Sequence, residues 1–585
     1  MYIKIFFIMT LYVFHMLLAD EISLPTHKIY FYGQEHFDTS TLEDELGVDN
    51  KSFLQFWKED NPRINDKLLL TLEPSLQSFY DSEGFYDANF TIQETNTTVS
   101  VYISENQPVR IKDINISSDF NISTFITFEK SDIFKAKTFI KIKSKIIAEL
   151  LKEGYCSYDL NTKAYVDLDK HSVDLQYKLK KGGICTFGKT TIYGAKNIDD
   201  DIIKSRVRAK EGERFSTALI KDTSDALYGL QSFDSVLIGV DRKFYNVVPV
   251  DITVSEMDKP YRFEAGLGYD TYVGPRIHSS IIKHNFLGNA QKLKLQLAWS
   301  KLEQLAIVDY FKPVLFEPYG FAMDFGASLG YSNLEFDGFK EKKTFVKAYL
   351  EHTSKRFVVR SGIALEVIDI TDLDDGKPKL PAGAYDLFLL TYPYVSAVYD
   401  GRDSKLNPKY GYYLRGYGEW GIPTDNESSL YLKVELEARG IYTFYDLTLS
   451  VVGKMGLIEI EGDKTYGIPE SKKFFAGGSF WNRAYGFREI GVVTSPTTDI
   501  IDGGLSMANL SLEANYPLWD DLYGAVFTDN TLIAKESNDF TGDIITSAGV
   551  GVRYMTPIGP FKLDVGFNVN NPSIYGISFQ IGQSF

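Results

Sequence analysis

The 585-residue chain carries 62 Lys+Arg against 78 Asp+Glu, a formal charge of −16. That balance argues against nucleic acid as the main partner, because phosphate binding needs a basic face. Two cysteines exclude a disulfide-dense scaffold, and a hydrophobic content of 44% excludes disorder. The 38 Tyr, 41 Phe and 5 Trp make up 14% of the chain, a level unusual for a cytosolic enzyme and ordinary where aromatic rings line a membrane–water interface.

The chain opens MYIKIFFIMTLYVFHMLLAD, with Lys4 as a basic start, an apolar stretch from Ile5 to Leu18 and small Ala19 before Asp20. This pattern predicts a cleaved secretory signal over 1–19 rather than an anchor, since the run is shorter than the ~20 residues of a spanning helix. No later apolar run reaches spanning length, so the mature chain is either soluble and exported or crosses a membrane as strands.

Residues 20–258 read as three modules, 20–107, 108–181 and 182–258. Each has a helical segment that ends in a break followed by alternating strands: Leu76 to Gly84-Phe85-Tyr86, Ile147 to Gly154-Tyr155-Cys156, and Ala226 to Phe233-Asp234-Ser235. Glycine suits the left-handed turn that stops a helix, and the aromatic after it docks on the helix's apolar face. A short strand begins each unit, at Lys28 to Gly33, Val109 to Ile116 and Phe187 to Gly194. Spacings of about 70–80 residues suit small α+β domains better than a solenoid. If Leu168 faces Val173 across the turn Asp169-Lys170-His171-Ser172, paired numbers sum to 341 and Cys156 faces Cys185. Cross-strand separations of about 4.5–5.5 Å lie within disulfide range, so a bridge is expected in an oxidising compartment.

From 259 to 585 the period is two. Tyr261, Phe263, Ala265, Leu267 and Tyr269 alternate with Arg262, Glu264, Gly266, Gly268 and Asp270, and Tyr575, Ile577, Phe579, Ile581, Gln583 and Phe585 with Gly576, Ser578, Gln580, Gly582 and Ser584. One face is apolar and aromatic, the other charged or tiny. A soluble sandwich also alternates, but not over this length with full charges on one face and aromatic ends on the other. Lipid leaves no tolerable sheet edge, so such a wall must close. At about 20 residues per strand and turn it holds about 16 strands. The expected fold is membrane all-β: an antiparallel outer-membrane β-barrel of about 16 strands behind three α+β domains.

Several motifs carry a resemblance. Phe474-Phe475-Ala476-Gly477-Gly478 followed by Asn482-Arg483-Ala484-Tyr485, Asp400-Gly401-Arg402-Asp403 with Pro408 and Gly411, Gly524 to Asp529, and the stretch Gly549 to Asp564 are similar to barrel motifs of the BamA/TamA-type outer-membrane assembly factors. In that family POTRA modules (strand, two helices, two strands) precede a 16-stranded barrel. The resemblance implies that Gly477, Gly478, Arg483 and Tyr485 belong to a loop folded into the lumen, with Asp529 as the lumen partner of Arg483. The family reads Arg-Gly-Phe/Tyr at this point, so Ala484 departs from it where a tight turn normally needs glycine. Three modules resemble the TamA branch. That implies assembly or export of outer-membrane and surface proteins, including autotransporter-type clients, and a TamB-type partner anchored in the inner membrane. The location implied is the Gram-negative outer membrane with the modules in the periplasm, and outer-membrane lipid and unfolded client chains are the other partners. A general BamA-like insertase, a two-partner secretion transporter and a passive pore are the alternatives.

A barrel that assembles other strands must open its own seam, between Tyr261–Tyr269 and Tyr575–Phe585. Gly266, Gly268, Gly576 and Gly582 leave both strands light in side chains, and freed backbone groups there would template an incoming strand. An equally weighted alternative is that these glycines only bend the barrel. Phe585 is expected to be an insertion signal. Gly183-Ile-Cys-Thr-Phe-Gly188-Lys189-Thr190 satisfies the P-loop expression, yet the residues after Thr190 read as strand, so no nucleotide is expected. The seven His show no metal spacing, and no Gly-x-Ser-x-Gly elbow occurs, so neither metal nor cofactor nor enzymatic activity is expected.

Overall fold

The computed structural model describes residues 26–48, 63–240, 246–270, 274–335, 339–372, 387–424, 428–462, 467–479, 481–495, 500–519, 521–556 and 560–581. The signal segment, Gly582 and Phe585 lie outside them.

Three small sheets come first. β1 (Thr26–Tyr32), β2 (Arg63–Asn65), β3 (Asn89–Glu94) and β4 (Thr98–Ser104) form a sheet of order β2-β1-β4-β3. β5 (Arg110–Ser118), β6 (Asp159–Asp167) and β7 (Ser172–Lys180) are ordered β5-β7-β6, and β8 (Thr186–Tyr193), β9 (Phe233–Val240) and β10 (Val247–Glu256) are ordered β8-β10-β9. In each the opening strand lies beside the last strand, whose other neighbour is its hairpin mate. Both β1–β4 and β5–β7 pair in parallel. Helices Thr39–Glu45 and Asp66–Ser82 serve the first sheet, Ala136–Lys152 the second, and Asp200–Lys204 and Thr217–Gly229 lie in the third segment. Asn65 caps Asp66–Ser82 by accepting the Leu68 amide at 3.0 Å, which satisfies one of the orphan donors of that helix start.

In the first two units the helix breaks fall where the glycines indicate. Gly84 (φ 96°) and Gly154 (φ 83°) take the left-handed turn, and Gln231 (φ 53°) takes it in the third unit. Gly84 has a second reason to lack a side chain: a Cβ there would lie 2.4 Å from the Phe134 carbonyl oxygen. The stretch matching the P-loop expression runs straight into β8.

Cys156 and Cys185 are bonded, with Cα atoms 5.9 Å apart, but the register differs from the expected one. Val166 faces Val173 and Asp167 faces Ser172, so pairs sum to 339 rather than 341. The turn starts one residue earlier because His171 adopts φ 47° and Asp167 accepts the Lys170 amide at 3.1 Å. The bridge forms beyond the ladder, where the Cys185 amide donates to the Gly154 carbonyl at 2.9 Å.

The second half is one 16-stranded antiparallel sheet. Its strands are β11 (Tyr261–Asp270), β12 (Gly274–Lys283), β13 (Lys292–Trp299), β14 (Glu303–Phe316), β15 (Met323–Glu335), β16 (Phe339–Thr353), β17 (Phe357–Asp372), β18 (Leu387–Asp400), β19 (Tyr410–Pro423), β20 (Tyr431–Phe444) and β21 (Leu447–Ile460). A loop carrying β22 (Val492–Ser495) and β23 (Ile500–Asp502) comes next. β24 (Ser506–Trp519), β25 (Leu522–Ala534), β26 (Ile545–Tyr554), β27 (Phe561–Asn568) and β28 (Tyr575–Ile581) complete the sheet. Leu563, Phe567, Tyr575 and Ile577 point outward and are exposed, while Lys562, Asp564 and Ser578 point inward and are buried. That is the arrangement of a wall with lipid outside and polar groups within.

The inner face departs from the charged-or-tiny pattern in one region. Ile368, Ile370, Phe388, Leu390 and Tyr392 face inward and pack with Ile458, Met507 and the loop's Ile468 and Phe474 into a buried apolar cluster. The loop packs against the wall there, which is why the lining is apolar.

Candidate functional site

The loop between β21 and β24 folds into the lumen, and Arg483 is the most heavily bonded of its described residues. The Arg483 guanidinium grips Asp529 on β25 with Nε and Nη2, both at 2.9 Å, and its backbone amide donates to the same carboxylate at 3.1 Å. Nη1 reaches Glu513 on β24 at 2.6 Å and lies 3.7 Å from Asp564 on β27. Arg553 on β26 shares the same Glu513 oxygen (3.1 Å) and bonds the other oxygen of Asp564 (2.6 Å). With Lys562 buried nearby, three cations and three carboxylates share the site, so its formal charge is zero. The guanidinium also stacks on Phe527, 3.3 Å from the ring centroid. A planar fork suits this double grip, whereas an ammonium would make one point contact.

The neighbouring loop residues are fixed as firmly. Asn482 donates to Thr531 at 3.3 Å and to the Ile545 carbonyl at 3.2 Å, and Tyr485 accepts from Asn568 at 2.6 Å. Gly477 and Gly478 both have positive φ (101° and 88°), and a Cβ at Gly477 would lie 2.3 Å from the Gly486 carbonyl. Ala484 needs no glycine: it is not among the positive-φ residues and is 2% exposed. Space is made on the wall instead, where a Cβ at Gly566 would sit 2.9 Å from the carbonyl carbon of Arg483.

The loop has a second attachment that sequence reading missed. The Nζ of Lys472 lies 3.1 Å from Glu366 on β17 and 3.0 Å from Glu419 on β19. The signal in the sequence is that Glu366 and Glu419 stand at inward-facing positions of otherwise uncharged stretches.

Strands β11 and β28 stand at the two ends of the sheet order and come within 8 Å of one another. No backbone pairing joins them among the described residues. Gly566 of β27 pairs with Gly576 of β28, and Gly268 pairs with Arg276 of β12. At Gly266 the space is not empty, since a Cβ would lie 1.8 Å from the His278 ring. That glycine makes room for an imidazole on β12.

Comparison with known proteins agrees with this geometry. The Omp85 superfamily domain matches residues 285–585, and the chain belongs to that superfamily. Among its relatives, the outer membrane protein assembly factor BamA of Nitratidesulfovibrio vulgaris is 20% identical, over 92% of this chain and 70% of that protein. BamA of Neisseria meningitidis serogroup B is also 20% identical, over 95% of this chain and 78% of its own length. In fold, the chain resembles the crystal structure of BamA from Haemophilus ducreyi lacking POTRA domains 1–3. That likeness has a TM-score of 0.57 and 16% identity, and covers 81% of this chain and all of the other.

Proposed function

We propose that this protein assembles or exports other outer-membrane proteins through a lateral seam between β11 and β28, with its three modules in the periplasm. The observation that carries the reading is a sixteen-strand wall whose end strands lie close without pairing among the described residues. Unpaired strand edges are templates for β-augmentation, and a client segment of alternating pattern supplies the matching edge. The buried loop supports the reading by occupying the lumen, which disfavours a wide solute channel. The names of the BamA relatives agree with it.

Three modules favour a TamA-type role with a TamB-type inner-membrane partner over a general insertase. Deletion followed by quantitative outer-membrane proteomics tests both levels. Loss of a subset of barrels or autotransporters is expected. Loss of every barrel would indicate a general insertase, and unchanged protein content with altered solute uptake would refute the assembly reading.

A further inference from the structure

We propose that Lys472 is a second positioning residue for the lumen loop, fixing its first limb to the β17–β19 sector independently of Arg483. The cage around it is built from four neighbouring strands. Glu366 and Glu419 flank the ammonium, and the ring of Tyr392 on β18 lies beneath it at 4.1 Å. Tyr392 donates to Glu366 at 2.6 Å, and Tyr431 on β20 donates to Glu419 at 2.8 Å. Gly421 leaves room for that ring, since a Cβ there would lie 1.9 Å from it. Lys433 holds the Lys472 carbonyl at 2.8 Å, so main chain and side chain are both tied to the wall. Glu366, Glu419 and Lys472 are 2%, 3% and 8% exposed.

Packing alone does not account for a lysine here. The adjoining cluster is apolar, and a methionine would fill the space without desolvating three charges. What the ion array adds is direction: the ammonium has one seat, between carboxylates on β17 and β19. In the sheet order these strands are the seventh and ninth, whereas the Arg483 partners lie on the twelfth, thirteenth and fifteenth. The loop is therefore held to two sectors of the wall. Lys473 does not duplicate the role, because it pairs with Glu470 and Asp502 inside the loop itself.

The test uses single-cysteine reporters in the full chain, whose two native cysteines are already paired. Ser471→Cys reports the first limb and Ala484→Cys reports the tip beside Arg483. Each is labelled with a water-soluble maleimide in folded, heat-modifiable protein. Lys472→Met is expected to speed labelling at 471 by about tenfold and leave 484 within about twofold, as local opening allows. Arg483→Ala is expected to do the reverse, and Lys472→Arg to retain slow labelling at 471. The triple variant Glu366→Gln, Glu419→Gln, Lys472→Met removes both cage carboxylates with their lysine, and leaves Lys347, which lies 3.4 Å from Glu366, at 32% side-chain exposure. It should fold normally and still label fast at 471. Equal acceleration at both sites, no acceleration at 471, or slow labelling of the triple variant would each overturn the proposal.

Discussion

Arg483 and Gly566 are two halves of one contact. Replacing Arg483 by Ala leaves Asp529 without its bidentate partner in a buried site. Breaking a buried pair in this way costs about 3–5 kcal/mol. The heat-modifiability transition of Arg483→Ala is therefore expected to fall well below that of wild type, and Arg483→Lys to recover only part of the loss. Gly566→Ala should act on the same contact from the other side, by forcing a Cβ against the Arg483 backbone. A cost of about 1–3 kcal/mol is expected for such overpacking, read from the urea unfolding midpoint. Ala484→Gly should give no rescue, since Ala484 is not the strained partner. The resemblance of the tip motif to the family pattern points to Arg483 and Asp529, which the geometry brings together. Gly566 was not legible, because close approach between distant segments leaves no local pattern.

The elements that could be read were those with a period. The wall strands alternate and the three helix breaks carry turn residues, so both stood out. The two-residue shift at the β6–β7 hairpin was missed because it depends on His171 taking a left-handed backbone, which composition does not announce. The apolar lining of β17 and β18 was missed because it exists only where the loop docks. Leu387 to Leu390 nonetheless breaks the alternation visibly. Two tests belong at this scale. Reducing the bond between Cys156 and Cys185, 29 residues apart, should lower the stability of the segment it closes by about 3 kcal/mol; thermal unfolding with and without dithiothreitol checks it. At the end of β10, Glu256 accepts the amides of Lys196 and Asn197, both at 2.7 Å. Burial pushes this carboxyl up, but those bonds outweigh it and hold its pKa below the usual value. A depressed folded value contributes stability above the unfolded pKa of about 4.3 and loses it as pH falls through the folded value. Amide protection at Lys196 and Asn197, corrected for intrinsic exchange, should be flat at neutral pH and fall below about pH 4, while Glu256→Gln should show no such drop.

On the scale of the molecule, charge is sorted by exposure. Pairs such as Lys137–Glu45 and Lys170–Asp167 stand in solvent on the modules, whereas both loop anchors are enclosed by the wall and close to neutral. At about 1 M salt the screening length shrinks to about 3 Å, which weakens exposed pairs and leaves enclosed ones nearly untouched. Heat-modifiability of the barrel should hence be the same in dilute buffer and in strong brine, with Lys472→Met and Arg483→Ala equally indifferent to salt. A marked salt dependence would mean that counterions reach the anchors. The enclosed cages should thus make the loop's seat independent of the ionic strength outside, so that saline swings are expected to leave the lumen plugged in the same way.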